Sequence, residues 1–385
     1  MLEIRNWKLE IIFMLHKRIL LATRPLVPPW DEASKNFAYF LGKEVKNHLL
    51  TLLTTKTPLA DLPESVHTEP LFESGHFDFS AKRNLFLYLR RMRKEFDITH
   101  YLFTPTIQNT RIIRWFAKPS GKTIQTIATL RDDIYSDRQL KRLFFADRLV
   151  VYTDRTKEKL IQLGFHNVIR IYPGIDLRHY APQAKNEAIL TELGLSLRDF
   201  VVIYPGEYAR LGATDMIADA FFDFFRENPK TNLRFVFACR MKNEADAEKK
   251  QEIHQRFANA HLLDYIAFSD TISDMPGLYN ASDVVIFPVE NLKGKFDVPL
   301  VIIEAYACSK PVILSDLPQF SEFANKNICV TIPKDSGKKL IESLAYLKEN
   351  EAERTRLGTN ARQFVTDHFD LKNTAKQYEE TYSAL

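Results

Sequence analysis

Near residue 300 the chain runs Leu300-Val301-Ile302-Ile303-Glu304-Ala305-Tyr306-Ala307-Cys308-Ser309-Lys310, a helical stretch that is apolar apart from one early carboxylate. A helix of that composition is expected to be buried, and a buried carboxylate is unfavourable unless donors satisfy it. Two adjacent ribose hydroxyls would serve, each donating to one oxygen of Glu304. Backbone N–H groups at the helix start would serve as well. Upstream, Tyr204-Pro205-Gly206-Glu207-Tyr208-Ala209-Arg210-Leu211-Gly212 closes an apolar run and leads into a helix near Asp215. A strand, a turn at Gly206 and a helix amino terminus make an anion site, because free N–H groups and the positive end of the dipole face the ligand. Arg210 stands where a guanidinium would add a charge-assisted contact to a diphosphate. Taken alone it reads better as a surface arginine after a βα turn.

The elements that must position these residues alternate short β-branched runs with longer amphipathic ones, the pattern of a parallel sheet with crossover helices. The first half offers strands at Arg18–Thr23, Leu49–Thr54, Ile98–Phe103, Thr123–Thr129, Arg148–Tyr152 and Val168–Tyr172. The second offers Phe200–Tyr204, Leu233–Ala238, Tyr265–Phe268, Val284–Phe287, Pro311–Leu314 and Ile328–Ile332. Their near-continuous apolar character implies that both sheet faces are covered. Helices are expected at Ser34–Leu49, Asn84–Phe96, Asp215–Glu227, Glu244–Ala258 and Lys338–Asn350. Asn84–Phe96, with Arg90, Arg91, Arg93 and Lys94 beside Leu85, Leu87 and Leu89, reads as a crossover helix with a solvated face in preference to a membrane-binding one. A boundary falls after Ile171–Asp176. Two doubly wound sheets joined there would face a cleft, with ligands beyond the carboxyl ends of the strands.

The run Phe296-Asp297-Val298-Pro299 through Glu304 to Ala307-Cys308-Ser309-Lys310-Pro311-Val312-Ile313 resembles the donor-site signature of family 4 glycosyltransferases, a Glu-x7-Glu element leading into Ala-Cys-Gly-x-Pro-Val. Ala146–Leu160, Ile169–Asp176 and Tyr279–Pro288 resemble three further family stretches in the same order. The resemblance implies the GT-B architecture: two Rossmann-like domains of α/β class facing a cleft, with a C-terminal helix packing back on the N-terminal domain. The boundaries read from it are 1–16 as an extension, 17–175 as the acceptor domain, 176–366 as the donor domain and 367–385 as the closing helix. It places Glu304 on the nucleotide ribose, with Gly206, Val298, Pro299 and Leu300 around the donor. The first glutamate of the element falls on Phe296, so Asp297 is the nearest carboxylate and is assigned a catalytic part together with Lys295 and Arg131. Glu207 stands where the family has its phosphate-binding arginine. Arg210 is then the cation left in that turn, and Lys293 and Lys295 of the donor loop either compensate or are solvated loop residues. Ser309 replaces a glycine. Thr23–Asn36 takes the place of a glycine-rich loop without its glycines, leaving Lys35 and Asn36 as the polar groups at a helix start. Arg131 and Asp132 fall where the family has a sugar-contacting pair, though a loop charge cluster reads as well.

Composition sets outer limits. At 45% hydrophobic residues the 385-residue chain has material for two packed cores. Cys239, Cys308 and Cys329 are isolated, and ten histidines are dispersed without metal-type spacing, so neither a disulfide framework nor a zinc site is expected. No Asp-x-Asp element for a divalent metal stands in the chain, and a metal-free mechanism is expected. Residues 1–175 hold 28 Lys and Arg against 18 Asp and Glu, and the remainder 25 against 31. A basic first half suits a phosphate-bearing acceptor or an anionic lipid surface, and solubility accounts for it equally well. Ile11–Leu15 is too short to span a bilayer, and residues 1–16 lack the features of a signal peptide. The activity expected is hexosyl transfer, with retention implied by the resemblance, from a nucleotide sugar to the hydroxyl of a glycan, lipid-linked sugar or small molecule. A UDP-sugar is placed ahead of a GDP-sugar, no cofactor is permanently bound and no nucleic acid is involved. The expected location is cytoplasmic, with peripheral contact at the inner membrane face left open. A non-catalytic nucleotide-sugar binder and a sugar-nucleotide epimerase are the alternatives.

Overall fold

The apolar runs of the first half become seven strands in a computed structural model that describes residues 16–28, 30, 32–269 and 274–385. They are β1 (Arg18–Leu26), β2 (Leu49–Thr55), β3 (Val66–Phe72), β4 (Ile98–Tyr101), β5 (Lys122–Ile127), β6 (Arg148–Val151) and β7 (Val168–Arg170). They pair in the order β3-β2-β1-β4-β5-β6-β7, all parallel. Successive residues of a strand point to opposite faces. Ile19, Leu20, Leu21 and Ala22 of β1 are all buried, so both faces of the sheet are covered.

Six strands are expected in this half and seven are found among the described residues. The extra one, Val-His-Thr-Glu-Pro-Leu-Phe at β3, lies at the sheet edge. An edge strand leaves one row of backbone groups unpaired, so it tolerates polar side chains and a proline without an N–H, here Pro70. The helix expected at Asn84–Phe96 runs Phe79–Arg91 instead. The Asp78 carboxylate accepts from the Ala81 N–H and starts it five residues earlier. The helix expected from Ser34 to Leu49 ends at Glu44. The segment before His16 lies outside the described residues, as do Pro29 and Asp31 of the loop after β1.

The second half gives six strands, as expected: β8 (Phe200–Tyr204), β9 (Leu233–Ala238), β10 (Ile266–Ser269), β11 (Val284–Phe287), β12 (Val312–Ser315) and β13 (Val330–Ile332). Their order is β10-β9-β8-β11-β12-β13, again all parallel. In each sheet the winding reverses between two central strands, β1 and β4 in one, β8 and β11 in the other. The crevice beyond the carboxyl ends at such a reversal is where open α/β sheets bind ligands.

The chain divides into two compact units that are not contiguous in sequence. The first runs to Ile175 and takes back Phe296–Val298 and Phe369–Leu385; the second comprises Asp176–Lys295 and Pro299–His368. The last helix, Leu371–Ser383, is part of the first unit's core, with Tyr378 and Tyr382 fully buried. His100 of β4 bonds the Tyr382 hydroxyl through Nδ1 at 2.8 Å and the Thr126 hydroxyl through Nε2 at 2.7 Å. Glu379 accepts from the backbone N–H groups of Lys46 and Asn47 at 2.6 and 2.7 Å. A side chain at Gly174 would place its Cβ 2.4 Å from the Leu371 Cα, so this helix start packs where only hydrogen fits. In the second unit Ser309 follows the helix Leu300–Ala307 with φ of +55°. That is the left-handed conformation a helix terminus reserves for glycine.

Candidate functional site

The strand β8 ends at Tyr204, and the chain turns at Gly206 so closely that a Cβ there would fall 2.1 Å from the Tyr204 ring. This turn delivers Glu207, whose side chain is 4% exposed, to the carboxyl end of the sheet. Three cations from three loops converge on it. Arg210 binds it in two-pronged fashion, Nε to Oε2 at 2.6 Å and Nη2 to Oε1 at 2.8 Å. Lys242, beyond β9, donates to Oε1 at 2.7 Å, and Lys295, in the loop after β11, donates to the same oxygen at 2.6 Å. Burial alone would raise the Glu207 carboxyl, but Arg210, Lys295 and Lys242 hold it down at about 2. For Lys295 burial lowers the ammonium, and Glu207 opposes that fall.

One anion among three cations leaves two positive charges uncompensated. The carboxylate is hidden, while the side chains of Arg210, Lys242 and Lys295 are 40%, 35% and 32% exposed. The surface therefore presents oriented positive charge at the reversal point between β8 and β11, which suits a diphosphate. Asp246, buried in the first turn of the helix Glu244–Asn259, ties two of the contributing loops together by accepting from the N–H groups of Ala209 and Lys242. The two helices after these central strands, Thr214–Glu227 and Leu300–Ala307, both begin without a side-chain cap. Their first N–H groups are oriented for an anion.

Glu304 lies on the second of those helices. It is half-buried instead of enclosed. Its donors are not backbone N–H groups, as a capping role would require, but two tyrosine hydroxyls of the same unit. Tyr279 donates to Oε2 at 3.0 Å, and Tyr180 is the second donor. Burial pushes the Glu304 carboxyl up to about 7 against the pull of Tyr279 and Tyr180. A pair of hydroxyls on one carboxylate is the arrangement a ribose diol would reproduce.

The structure therefore gathers Gly206, Glu207, Arg210 and Lys295 at one place, with Glu304, Pro299 and Leu300 on the helix that follows β11. Arg210, expected to meet a phosphate with or without the loop lysines, is one of three cations held by Glu207. Lys293 is exposed in the loop after β11, with Gly294 beside Arg210 at a Cβ distance of 3.6 Å from Nη1. Asp297, Val298 and Arg131 belong to the first unit. Asp297 accepts from the Thr156 hydroxyl at 2.7 Å and from the Leu130 N–H at 3.1 Å, and its own N–H donates to the Ala128 carbonyl. Burial raises its carboxyl to about 6, against Thr156 and Leu130. Arg131 is engaged by Asp133 through two bonds of 2.8 and 3.1 Å, and Asp132 is exposed. Phe296, in the place of the first glutamate, packs its ring edge-on to Tyr152 at 5.6 Å. Lys35 is buried with its ammonium 3.4 Å from the Val27 carbonyl, and Asn36 donates to the Trp30 carbonyl. Both serve the loop after β1.

Lys242, Tyr180 and Tyr279 are missing from the residues singled out by sequence. Lys242 follows the end of β9, so the carboxyl-end rule that pointed to Arg210 would have found it. Tyr279 lies in the Tyr279–Pro288 stretch. Tyr180 carries no local signal, since its meaning depends on a partner 124 positions away in the sequence. Among the described residues no group of three or more His, Cys, Asp or Glu side chains is placed to hold a metal ion.

Residues 186–364 match the family described as Glycosyl transferases group 1, a stretch that lies, apart from Phe296–Val298, in the second unit. The D-inositol 3-phosphate glycosyltransferase of Kineococcus radiotolerans is 25% identical over 232 residues, 56% of this chain and 52% of that protein. Spore coat protein SA of Bacillus subtilis is 25% identical over 226 residues, 55% of this chain and 57% of that one. The chain thus spans about half the length of the curated relatives it matches. Among solved structures, Anabaena HepE in complex with UDP and glucose superposes with a TM-score of 0.73 at 17% identity, covering 96% of this chain and all of that one. Sucrose-phosphate synthase from Thermosynechococcus elongatus gives 0.74 at 18%, covering 95% and 98%. At these identities the likeness is one of fold: two Rossmann-like parallel sheets, as in GT-B proteins.

Proposed function

We propose that this chain is a glycosyltransferase that uses a nucleotide diphosphate sugar, and that its second unit holds the donor nucleotide. The observation that carries the reading is the trio Arg210, Lys242 and Lys295 around buried Glu207, at the sheet reversal where the helix bearing Glu304 begins. The diphosphate contacts the trio and the uncapped helix starts. The ribose diol takes over the Glu304 carboxylate from Tyr279 and Tyr180. As the bond from the anomeric carbon to the diphosphate breaks, charge develops on the leaving oxygen, and the three cations are already oriented to stabilise it. The acceptor hydroxyl passes its proton to the departing diphosphate oxygen as its own oxygen joins the anomeric carbon. A UDP-sugar is the first donor to try, supported by the family matched over 186–364 and by a structural neighbour that holds UDP and glucose. The sugar is a hexose, transfer proceeds with retention, and no metal takes part in this scheme. Asp297 and Arg131, both in the first unit, are engaged by Thr156, Leu130 and Asp133.

Glu207 in place of a cation and Phe296 in place of a glutamate favour one other reading, in which the chain binds a nucleotide sugar without transferring it. The experiment measures binding by calorimetry and free nucleotide by a coupled assay across UDP- and GDP-sugars, with acceptors, for the parent, Glu304→Ala and Lys242→Ala. Binding with acceptor-dependent nucleotide release, both weakened in the two variants, supports transfer. Binding without release selects the other reading. Absence of any nucleotide binding removes both.

A further inference from the structure

The helices Phe79–Arg91 and Ile107–Phe116 of the first unit turn large apolar side chains outward. Phe79 is 82% exposed, Trp115 89% and Leu87 51%, with Phe116 and Ile112 at 38% and 36%. These are not the margins of a core, because each helix has a separate buried face: Leu85, Phe86 and Leu89 on the first, Thr110 and Ile113 on the second. Phe79, Arg83, Leu87 and Arg90 follow at steps of four, four and three residues, which is one stripe of a helix. Gln108, Arg111, Ile112 and Trp115 repeat at positions i, i+3, i+4 and i+7 and form a stripe on the other. The two are neighbours, since the Arg90 guanidinium lies 4.2 Å from the centre of the Phe116 ring. Residues 79–94 and 107–118 together carry nine Lys and Arg and not one Asp or Glu.

Single exposed hydrophobic residues are ordinary; five on two adjoining helices form a patch that calls for an occupant. The occupant must take apolar rings and a net positive charge on the same face, the nearest carboxylates in sequence being Asp78 and Glu95 at the ends of the first segment. A soluble polyanion would answer the charge and leave the rings in water. Aromatic and aliphatic side chains interleaved with arginines are the make-up of a surface that lies in the headgroup region of a membrane. No helix of the described residues is long and apolar enough to cross one. We propose that this face rests on an anionic lipid bilayer, with Phe79, Leu87 and Trp115 entering the interface and Arg83, Arg90 and Arg111 meeting lipid phosphates. The crossover reading of the first helix holds for its buried face, and its outer face has this second use. The proposal stands independently of the nucleotide site.

The test is co-sedimentation of the full chain with vesicles of phosphatidylcholine, with and without about one-third phosphatidylglycerol. At 0.1 M salt, binding to the anionic vesicles is expected, with weak or no binding to the neutral ones. The Phe79→Ser, Trp115→Ser double variant is expected to bind about a hundredfold more weakly, because each ring buried in the interface contributes about tenfold. Arg83→Glu with Arg111→Glu should weaken it by about tenfold per charge reversed and flatten its salt dependence. All four side chains are exposed, so melting followed by circular dichroism should be unchanged in both variants. Failure to bind anionic vesicles overturns the proposal, as does equal binding by the double variant. It is overturned too by heparin binding that matches vesicle binding and ignores the loss of both rings. Self-association removed by the ring substitutions, without vesicle binding, would instead assign the face to a second copy of the chain.

Discussion

Replacing Glu304 with glutamine separates the two consequences of keeping a carboxylate on an apolar helix. Burial lifts the group from 4.5 to about 7, with the Tyr279 and Tyr180 hydroxyls resisting. The unfolded chain therefore releases this proton near pH 4.5 and the folded chain near 7. Between those values the folded state binds more protons, so the contribution to stability is full below pH 4.5 and lost as the pH rises through 7. At about 1.4 kcal/mol for each pH unit the gap sets a ceiling of about 3 kcal/mol, and partial exposure of the side chain reduces this to about 1–2 kcal/mol. Glutamine is neutral throughout. It also gives up one acceptor for a tyrosine hydroxyl, a loss of about 1 kcal/mol that does not vary with pH. The variant should accordingly gain about 1–2 kcal/mol on the parent between pH 5 and pH 8. Nucleotide binding should move the other way, because charge-assisted hydrogen bonds to a ribose contribute about 1.5–3 kcal/mol each, or roughly 10- to 100-fold in affinity. Urea denaturation of both proteins at half-unit steps of pH, paired with calorimetric titration of UDP at pH 8, reads both effects. Stability curves that run parallel from pH 5 to 8 would refute the displaced carboxyl. Unchanged UDP affinity in a variant with the expected stability curve would refute the ribose contact.

Three other outcomes follow from the same physics. Glu207→Gln leaves Arg210, Lys242 and Lys295 unneutralised and should cost about 1–2 kcal/mol at pH 7 after screening, shrinking in 0.5 M salt; thermal denaturation at two salt concentrations checks it. In the parent the low Glu207 carboxyl, near 2 against an ordinary 4.5, contributes stability that is present above pH 4.5 and lost between 4.5 and 2. His100, lowered to about 3 by burial, contributes stability above pH 6.5 that is lost as the pH falls from 6.5 toward 3, and His100→Gln should flatten the acid limb of the first unit's unfolding followed by circular dichroism. Ser309→Gly relieves a left-handed φ at a helix end and should stabilise the second unit by about 1 kcal/mol in urea, whereas Ser309→Val should destabilise it.

Where burial on both faces wrote a continuous apolar run, the sequence was readable: all six strands of the second sheet and the core strands of the first. Val66–Phe72 was not, because an edge strand answers to one neighbour and can carry His, Glu and Pro. The start of the helix at Phe79 depends on a cap three residues ahead of the apolar pattern, which periodicity alone does not register. In the candidate site Glu304 and Arg210 stood out because a charge in an apolar helix or beside a glycine turn is locally anomalous. The gathering of Arg210, Lys242 and Lys295 on Glu207 joins loops up to 88 positions apart and is a property of the sheet order. The outward rings at Phe79 and Trp115 were hidden for the opposite reason. In sequence they look like core residues, and only the folded helices show that other side chains fill the core.

The first unit takes its closing helix from residues that follow the second unit, and this sets an order of events during synthesis. On the ribosome the strands from β1 to β7 emerge early, yet β4 has no Tyr378 or Tyr382 against His100 until about 280 further residues have been made. The second unit, apart from three residues, is one uninterrupted stretch and can close as soon as His368 is free. The unit made first is thus completed last, and its open sheet must wait beside a folded neighbour for the segment that covers it. Expression conditions that slow emergence of residues 369–385 should trap that waiting state, while the second unit folds on schedule.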